Sequence, residues 1–226
     1  MFDLKGKSAI VTGGGKGLGK GIAFGLANAG ADVAITSRKA ASLSETADWL
    51  RTTGSRISEI EMDVTNEDSI AKGVEKAREE LGTIDILVNN AGCNVRKPSL
   101  EMAWDDWDTV VNTNLKGQFF VSKAAAKHMI SNGYGRIINI GSLTSFFGFK
   151  GIAPYCASRG GVIQLTKSLA AEWADYGVNV NCIAPGWFKT DQTKRLFKDE
   201  EWVEYALERI PKGRFGEAED LSLIHI

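Results

Sequence analysis

A glycine-rich turn near the N-terminus has the composition of a phosphate-binding loop. The run Thr12-Gly13-Gly14-Gly15-Lys16-Gly17-Leu18-Gly19 follows an apolar stretch and leads directly into a helical pattern. Glycine lets the backbone turn tightly and lets a pyrophosphate approach it, while a helix N-terminus offers unpaired N–H groups and positive partial charge. We therefore expect a dinucleotide to bind here; the alternative is a turn that serves only close packing of strand and helix. The residues expected to contact the dinucleotide are Gly13, Gly15, Lys16, Gly17, Leu18 and Gly19.

The end of the second predicted strand indicates which nicotinamide dinucleotide would bind. Enzymes that use NAD place a carboxylate about 20 residues beyond the glycines, where it holds the ribose hydroxyls. This chain has Thr36-Ser37-Arg38-Lys39 at that place, without a carboxylate. Arg38, beside Ser37, can make a forked contact with a 2′-phosphate, and Lys16 adds a second positive charge. The pattern favours NADP as the cofactor, although solvated surface cations would give the same sequence.

The elements that must position these residues alternate along the chain. Short apolar runs rich in Val and Ile are separated by longer stretches of helical periodicity, a pattern typical of a parallel sheet with helices on both faces. The predicted strands are 7–12, 32–36, 57–62, 85–88, 135–140 and 178–184. The predicted helices are 18–29, 42–53, 67–81, 103–131 and 155–176, with another beginning near Glu217. We expect an α/β fold of the Rossmann type, a doubly wound parallel sheet in a single domain over residues 1–226.

Polar residues and glycines follow several strands at the carboxyl edge of the expected sheet, where ligands bind in open parallel sheets. Asp63-Val64 follows the third strand, Asn89-Asn90-Ala91-Gly92 the fourth and Pro185-Gly186 the sixth. Asp63 could equally cap the helix that begins near Asn66, and the asparagines could serve as turn formers. Because all of these residues are expected at one edge of the sheet, we favour the hypothesis that they bind a ligand together.

The chain resembles the short-chain dehydrogenase/reductase family from residue 5 to about residue 220. The resemblance rests on the T-G-x-x-x-G-x-G spacing of the glycine turn, on the Asn-Asn-Ala-Gly sequence that begins at Asn89, and on Ser142 followed thirteen residues later by Tyr155. It implies a nicotinamide-dependent oxidoreductase that acts on CH–OH groups. It also implies cofactor contacts, to adenine, ribose or nicotinamide, from Asp63, Val64, Asn90, Ala91, Gly92, Pro185, Gly186 and Thr190.

The same resemblance implies a catalytic set made of Asn114, Ser142, Tyr155 and the residue four positions after the tyrosine. In the family the tyrosine gives or takes the proton at the substrate oxygen, the serine polarises that oxygen, and a lysine favours the phenolate. Arg159 stands where the family has this lysine. Residues four apart share one helix face, so Arg159 keeps a positive charge near Tyr155, but a guanidinium cannot pass on a proton. We therefore expect weakened turnover; the alternative function is dinucleotide binding with impaired turnover.

The tract from Asn89 to Gly216 is most similar to family members that act on sugar acids, of the gluconate 5-dehydrogenase and 2-deoxygluconate dehydrogenase kind. This similarity implies hydride transfer between NADP(H), with NAD possible, and a secondary alcohol or ketone of a small-molecule sugar acid or polyol. Reduction of a 3-oxoacyl thioester is the alternative reaction. Arg96 could hold a carboxylate through two parallel hydrogen bonds, but the sequence favours a solvated loop arginine.

Composition and charge exclude several other classes of function. The 226 residues carry a net charge of −1, so we expect no nucleic-acid partner, and no apolar stretch is long enough for a membrane span. Asp3, Lys5 and Lys7 lie where a signal peptide needs its apolar core, so we expect a cytoplasmic protein. The three cysteines Cys93, Cys156 and Cys182 fit neither a disulfide framework nor a paired-thiol metal site, and no metal is expected.

Two segments near the C-terminus depart from the regular alternation. Segment 187–210 is polar and aromatic, and we expect it to cover the site as a lid. Residues 221–226 read Leu-Ser-Leu-Ile-His-Ile, the translation of a transposon end used in sequencing-library preparation, so we expect a non-native tail. The resemblance then implies that the C-terminal strand of the sheet is missing and that the complete chain forms a homotetramer.

Overall fold

Six parallel strands form one sheet in the computed structural model, which describes residues 3–190 and 193–221. The strands are β1 (Ser8–Thr12), β2 (Asp32–Ser37), β3 (Ile57–Glu61), β4 (Ile86–Asn89), β5 (Gly135–Ile140) and β6 (Val178–Ile183). They lie in the order β3-β2-β1-β4-β5-β6. Each strand begins and ends within one residue of its predicted bounds, and the predicted doubly wound fold is confirmed.

Helices cover both faces of the sheet. They are α1 (Gly17–Asn28), α2 (Ser44–Arg51), α3 (Glu67–Leu81), α4 (Trp104–Val111), α5 (Gly117–Ser131), α6 (Ala153–Trp173) and α7 (Glu200–Leu207). Successive strand residues point to opposite faces, so Val11 of β1 packs in one core with Ile22 of α1, whereas Ile10 packs in the other with Val121 of α5. Burial on both faces explains why the strands read as continuous apolar runs.

The prediction of one helix over 103–131 is wrong, because a π-helical turn interrupts it. α4 ends at Val111, the π-helical turn spans Asn112–Lys116, and α5 begins at Gly117. Such turns widen the backbone hydrogen bonding from i+4 to i+5 and occur frequently at functional sites. The turn carries Asn114, which was expected within a regular helix.

Other differences from the predicted elements are smaller. α6 begins at Ala153, with Pro154 in its first turn, and ends at Trp173 rather than at 176. The helix predicted near Glu217 is a 3₁₀ turn over the described residues Ala218–Leu221, packed where Gly21 of α1 leaves room for the Ala218 carbonyl. The predicted tail at 221–226 lies, apart from Leu221, outside the described residues. No helix in the described part of the chain has the length and apolar character of a membrane span.

Candidate active site

The glycine turn between β1 and α1 has the shape of a backbone cradle. Gly13 and Gly17 have φ angles of +64° and +54°, which other residues rarely adopt. A Cβ on Gly15 would lie 2.9 Å from Leu43, and one on Gly19 would overlap the Gly13 carbonyl. Side chains at Gly15 and Gly19 would therefore collide with the protein's own atoms, so glycine allows this turn to pack closely between β1 and α1.

The N-terminus of α1 is left free for an anion. The residue that precedes it, Lys16, is extended and exposed and makes no side-chain cap, and the first turn contains no acidic residue. The first N–H groups of the helix, at Gly17, Leu18 and Gly19, thus keep their positive partial charge. A dinucleotide pyrophosphate fits this combination of cradle and helix end, so the residues present suit the expected cofactor.

The loops that follow β1 and β4 are locked together by hydrogen bonds. The Thr12 hydroxyl accepts from the backbone N–H groups of Asn90 and Ala91, at 2.9 and 3.0 Å. The Asn90 side-chain amide donates to the carbonyls of Thr12 and Gly13, at 2.9 and 3.1 Å. The sequence-predicted residues of these two loops therefore lie side by side at the point where the strand order reverses.

The end of β2 presents its cations to solvent. The Ser37 hydroxyl donates to the Lys39 carbonyl at 2.7 Å and closes a tight turn around Arg38. Arg38 is exposed and forms no ion pair with any described residue. The arginine is therefore available to a phosphate group at this edge.

Asp63 and Val64 lie at the neighbouring end of β3. The Asp63 carboxylate accepts from the N–H and hydroxyl groups of Thr65, at 2.9 and 2.7 Å. The residue that caps α3 is Asn66, whose side chain accepts from the N–H of Ser69 at 2.8 Å. The alternative role of Asp63 as a helix cap is therefore wrong, and Val64 is buried with its carbonyl against Gly117.

Asn114 connects the π-helical turn to two parts of the site. It is fully buried, and its Oδ1 accepts from the N–H of Cys93 at 2.8 Å while its Nδ2 donates to the Cys93 carbonyl at 2.9 Å. The same Nδ2 lies 3.2 Å from the Ser158 hydroxyl, which donates to the Tyr155 carbonyl at 2.8 Å. Asn114 thus fixes the loop after β4 against the first turn of α6.

Ser142 is held against α6 and against the loop after β6. Its hydroxyl accepts from the Thr144 N–H at 3.1 Å, and its own N–H donates to the Ser145 hydroxyl at 3.2 Å. The Ser145 hydroxyl in turn donates to the Arg159 carbonyl at 2.8 Å. The N–H of the next residue, Leu143, donates to the Pro185 carbonyl at 2.9 Å. Three separate chain segments meet at this serine.

The Arg159 side chain is buried beneath the site and lies beside Tyr155. Only 4% of the arginine is exposed, and its Nη1 donates to the Ile140 carbonyl at 2.6 Å. The guanidinium carbon lies 5.0 Å from the centre of the Tyr155 ring, so the expected positive charge near the tyrosine is present. Nε has no hydrogen-bond partner among the described residues. The other amino group lies against Gly92, where a Cβ would overlap it.

Two neighbours of Arg159, one buried and one half-buried, were not recognised from the sequence. Gln118, which is 3% exposed, donates to the same Ile140 carbonyl at 3.2 Å. Burial raises the pKa of the Cys182 thiol, an effect partly offset by the Gly141 N–H, by Thr166 and by the charge of Arg159. No sequence motif includes Gln118 or Cys182. Both are distant from Arg159 in sequence, and only the folded chain brings them close to it.

The residues after β6 reach back to the glycine turn. Pro185 is buried, and Gly186 is exposed beside it. The Thr190 side chain lies 3.7 Å from the position of a Cβ on Gly17, and its hydroxyl lies 3.1 Å from that of Thr193. The predicted site residues from the turn after β1 to Thr190 therefore share the carboxyl edge of the sheet.

Comparisons with known proteins give matches over most of the chain. A family model described as short chain dehydrogenase matches residues 7–201. Gluconate 5-dehydrogenase of Gluconobacter oxydans (strain 621H) is 42% identical over 98% of this chain and 86% of that protein. The 2-dehydro-3-deoxy-D-gluconate 5-dehydrogenase of Escherichia coli (strain K12) is 45% identical over 97% of this chain and 87% of that protein.

A solved structure is similar over the same extent. It is a gluconate 5-dehydrogenase from Burkholderia cenocepacia J2315 in complex with NADP and tartrate. The TM-score is 0.94 at 38% identity, and the match covers 98% of this chain and 87% of that chain. The similarity in fold therefore extends over nearly all of the chain.

Replacing Gly92 by alanine should destabilise the wild-type protein more than it destabilises the Arg159→Lys variant. A Cβ at position 92 would overlap the guanidinium, which can move away only by losing its hydrogen bond to Ile140. A lysine amine is smaller and has no second amino group. We expect the free energy of unfolding lost through Gly92→Ala to be about 1–2 kcal/mol smaller in the lysine background. Urea denaturation of the four proteins measures this difference, and equal losses in both backgrounds would show that the contact carries no strain.

Proposed function

The chain belongs to the short-chain dehydrogenase family, and we propose that it transfers hydride reversibly between NADP(H) and a secondary alcohol or ketone of a sugar acid or polyol. The observation that carries this proposal is the meeting of Asn114, Ser142, Tyr155 and Arg159 at the sheet edge that also holds the glycine cradle. The relatives named for sugar-acid dehydrogenation support the substrate class.

We propose that the dinucleotide binds along the carboxyl edge of the sheet. The glycine cradle and the α1 N-terminus would hold the pyrophosphate, Arg38 and Lys16 the 2′-phosphate, and Asp63 the adenine amino group. Ala91 and Gly92 would line the ribose, and Pro185 with Thr190 would meet the nicotinamide amide. NADP(H), when bound, supplies or accepts the hydride. The solved relative with NADP supports this choice of cofactor.

The proton would move at the Tyr155 hydroxyl. During reduction the tyrosine gives its proton to the substrate oxygen, and during oxidation it takes that proton back. The Ser142 hydroxyl polarises the same oxygen by donating a hydrogen bond. The buried guanidinium of Arg159 lies 5.0 Å from the centre of the same tyrosine ring. Asn114 holds the loop and the helix that frame these groups.

A carboxylate on the substrate fits the position of Arg96. This arginine is exposed and forms no ion pair with any described residue, whereas its neighbour Lys97 is paired with Asp106 at 2.5 Å. The Arg96 Cγ lies 3.8 Å from the position of a Cβ on Gly151, in the loop that leads into α6. A guanidinium binds a carboxylate through two parallel hydrogen bonds. This placement favours a sugar acid over a 3-oxoacyl thioester.

Dinucleotide binding with impaired turnover is the second candidate function. It is supported by the Arg159 side chain, which donates to the Ile140 carbonyl and cannot release a proton. An enzyme whose proton must leave through this position would turn over slowly. Binding of NADPH without consumption would favour this candidate.

The proposal also includes the compartment of the protein, its oligomeric state and the role of segment 187–210. We propose that it works in the cytoplasm, a compartment consistent with three free cysteines. We propose further that it assembles as a homotetramer, which would cover apolar side chains such as Leu100 and Trp104 that stand exposed on the described surface. Segment 187–210 would cover the substrate as a lid.

Replacing Tyr155 by phenylalanine should abolish turnover while leaving NADPH binding intact. The ring and its packing remain, but the only proposed proton donor at the substrate oxygen is lost, and we expect kcat to fall about 10²- to 10⁴-fold. Absorbance at 340 nm with 5-ketogluconate gives kcat, and fluorescence titration gives the Kd of NADPH. Tyr176→Phe is the matched control, because that tyrosine is 53% exposed. Equal kcat values for the two variants would refute the role of Tyr155.

Replacing Arg38 by alanine should weaken the preference for NADPH. The wild-type protein should show the higher kcat/KM with NADPH, and losing a charge-assisted contact to the 2′-phosphate should lower the NADPH-to-NADH ratio about tenfold or more. Steady-state kinetics with both cofactors measure this ratio. Lys72→Ala, an exposed cation on α3, should leave it unchanged. A wild-type preference for NADH would overturn the assignment.

A further inference from the structure

The lid segment leaves and rejoins the body of the protein at one place. Phe188 forms a parallel bridge with Gly216. On either side of it, the Gly216 N–H donates to the Trp187 carbonyl at 3.0 Å and the Lys189 N–H donates to the Gly216 carbonyl at 3.1 Å. The Phe188 ring occupies the space where a Cβ on Gly216 would stand, at 2.5 Å. The chain between Phe188 and Gly216 is therefore held at both of its ends, whereas its middle needs a further packing contact.

Five aromatic rings from separate segments supply that anchor. Trp202 of α7 packs against three of them, with ring centres 5.9 Å from Trp187, 5.6 Å from Phe197 and 5.9 Å from Phe215. Phe197 lies 4.6 Å from Phe215, and Phe149 lies 6.4 Å from Trp187. All but one of these contacts are edge-to-face, at interplanar angles of 81° to 87°. We call these five residues the aromatic latch.

The latch reaches the catalytic loop through Phe149. This residue lies between the 3₁₀ turn that follows Ser142 and the start of α6, which carries Tyr155. Its partner Trp187 comes two residues after Pro185, whose carbonyl is bound to the N–H of Leu143. The contact between Phe149 and Trp187 is therefore a packing contact between the loop of Ser142 and the base of the lid.

We propose that the aromatic latch holds the lid in place over the substrate and that Phe149 and Trp202 are positioning residues that set the KM for the substrate. This inference rests on the proposed function, because it assumes that the substrate binds beside Tyr155 under segment 187–210. Aromatic pairs prefer edge-to-face packing at these distances and stabilise a contact beyond the area that they bury. Loss of one pair loosens the lid without altering Tyr155 or the glycine cradle.

The test compares Phe149→Leu with Phe147→Leu, two residues away in the same loop. The Phe147 side chain is 65% exposed and belongs to no aromatic pair in the described part of the chain. We expect Phe149→Leu to raise the substrate KM about three- to tenfold with kcat changed less than about twofold, and the Kd of NADPH to stay unchanged. The Phe147→Leu variant should match the wild type in all three constants. Equal substrate KM values for the two variants would overturn the proposal.

A second readout does not depend on turnover. Lys194, Arg195 and Lys198 are exposed in the lid, and trypsin should cut there faster in Phe149→Leu than in Phe147→Leu. Trp202→Leu should show at least the same acceleration, and Trp202→Phe, which keeps a ring, a smaller one. Faster cutting in a protein that fails to consume NADPH would support the latch and refute the proposed reaction. Normal turnover with identical cutting rates in all variants would refute the latch alone.

Discussion

The hydrogen bond from the buried guanidinium of Arg159 to the Ile140 carbonyl connects the segments that meet around Tyr155. A charge that is 4% exposed is tolerated only when polar groups surround it. The fold provides the carbonyl at the end of β5, the ring of Tyr155 and the open backbone of Gly92. The burial of this one side chain thereby links the loop after β4, the end of β5 and the start of α6.

The cofactor half of the site depends on a second constraint, which is the absence of side chains. A side chain at Gly15 or Gly19 would collide with neighbouring atoms, and Asn90 ties the glycine turn to the loop after β4 through Thr12. The same loop continues to Cys93, which Asn114 holds. The glycine turn, the loop after β4 and the first turn of α6, which carries Tyr155, are therefore parts of one hydrogen-bonded unit.

Strand positions followed from the sequence, because strands buried on both faces must be continuously apolar. The sequence also predicted that the candidate site residues would share the carboxyl edge of the sheet, because they follow the strands. The break in the helix at Asn114 did not follow, since it reflects a contact with Cys93, 21 residues away in sequence. The direction of the Arg159 side chain could not be predicted from the sequence either. Spacing places it beside Tyr155, but only the fold brings Gln118 to the same carbonyl.

In the proposed reaction, the guanidinium at position 159 supplies positive charge while slowing the return of the proton to Tyr155. The deciding experiment follows NADPH consumption at 340 nm over many turnovers by wild-type protein and by Arg159→Lys, both saturated with the cofactor and a sugar-acid ketone, because Tyr155 must regain its proton between turnovers. A lysine amine can release and regain a proton, so the variant should consume NADPH about tenfold faster or more. An unchanged or lower rate in the lysine variant would contradict it.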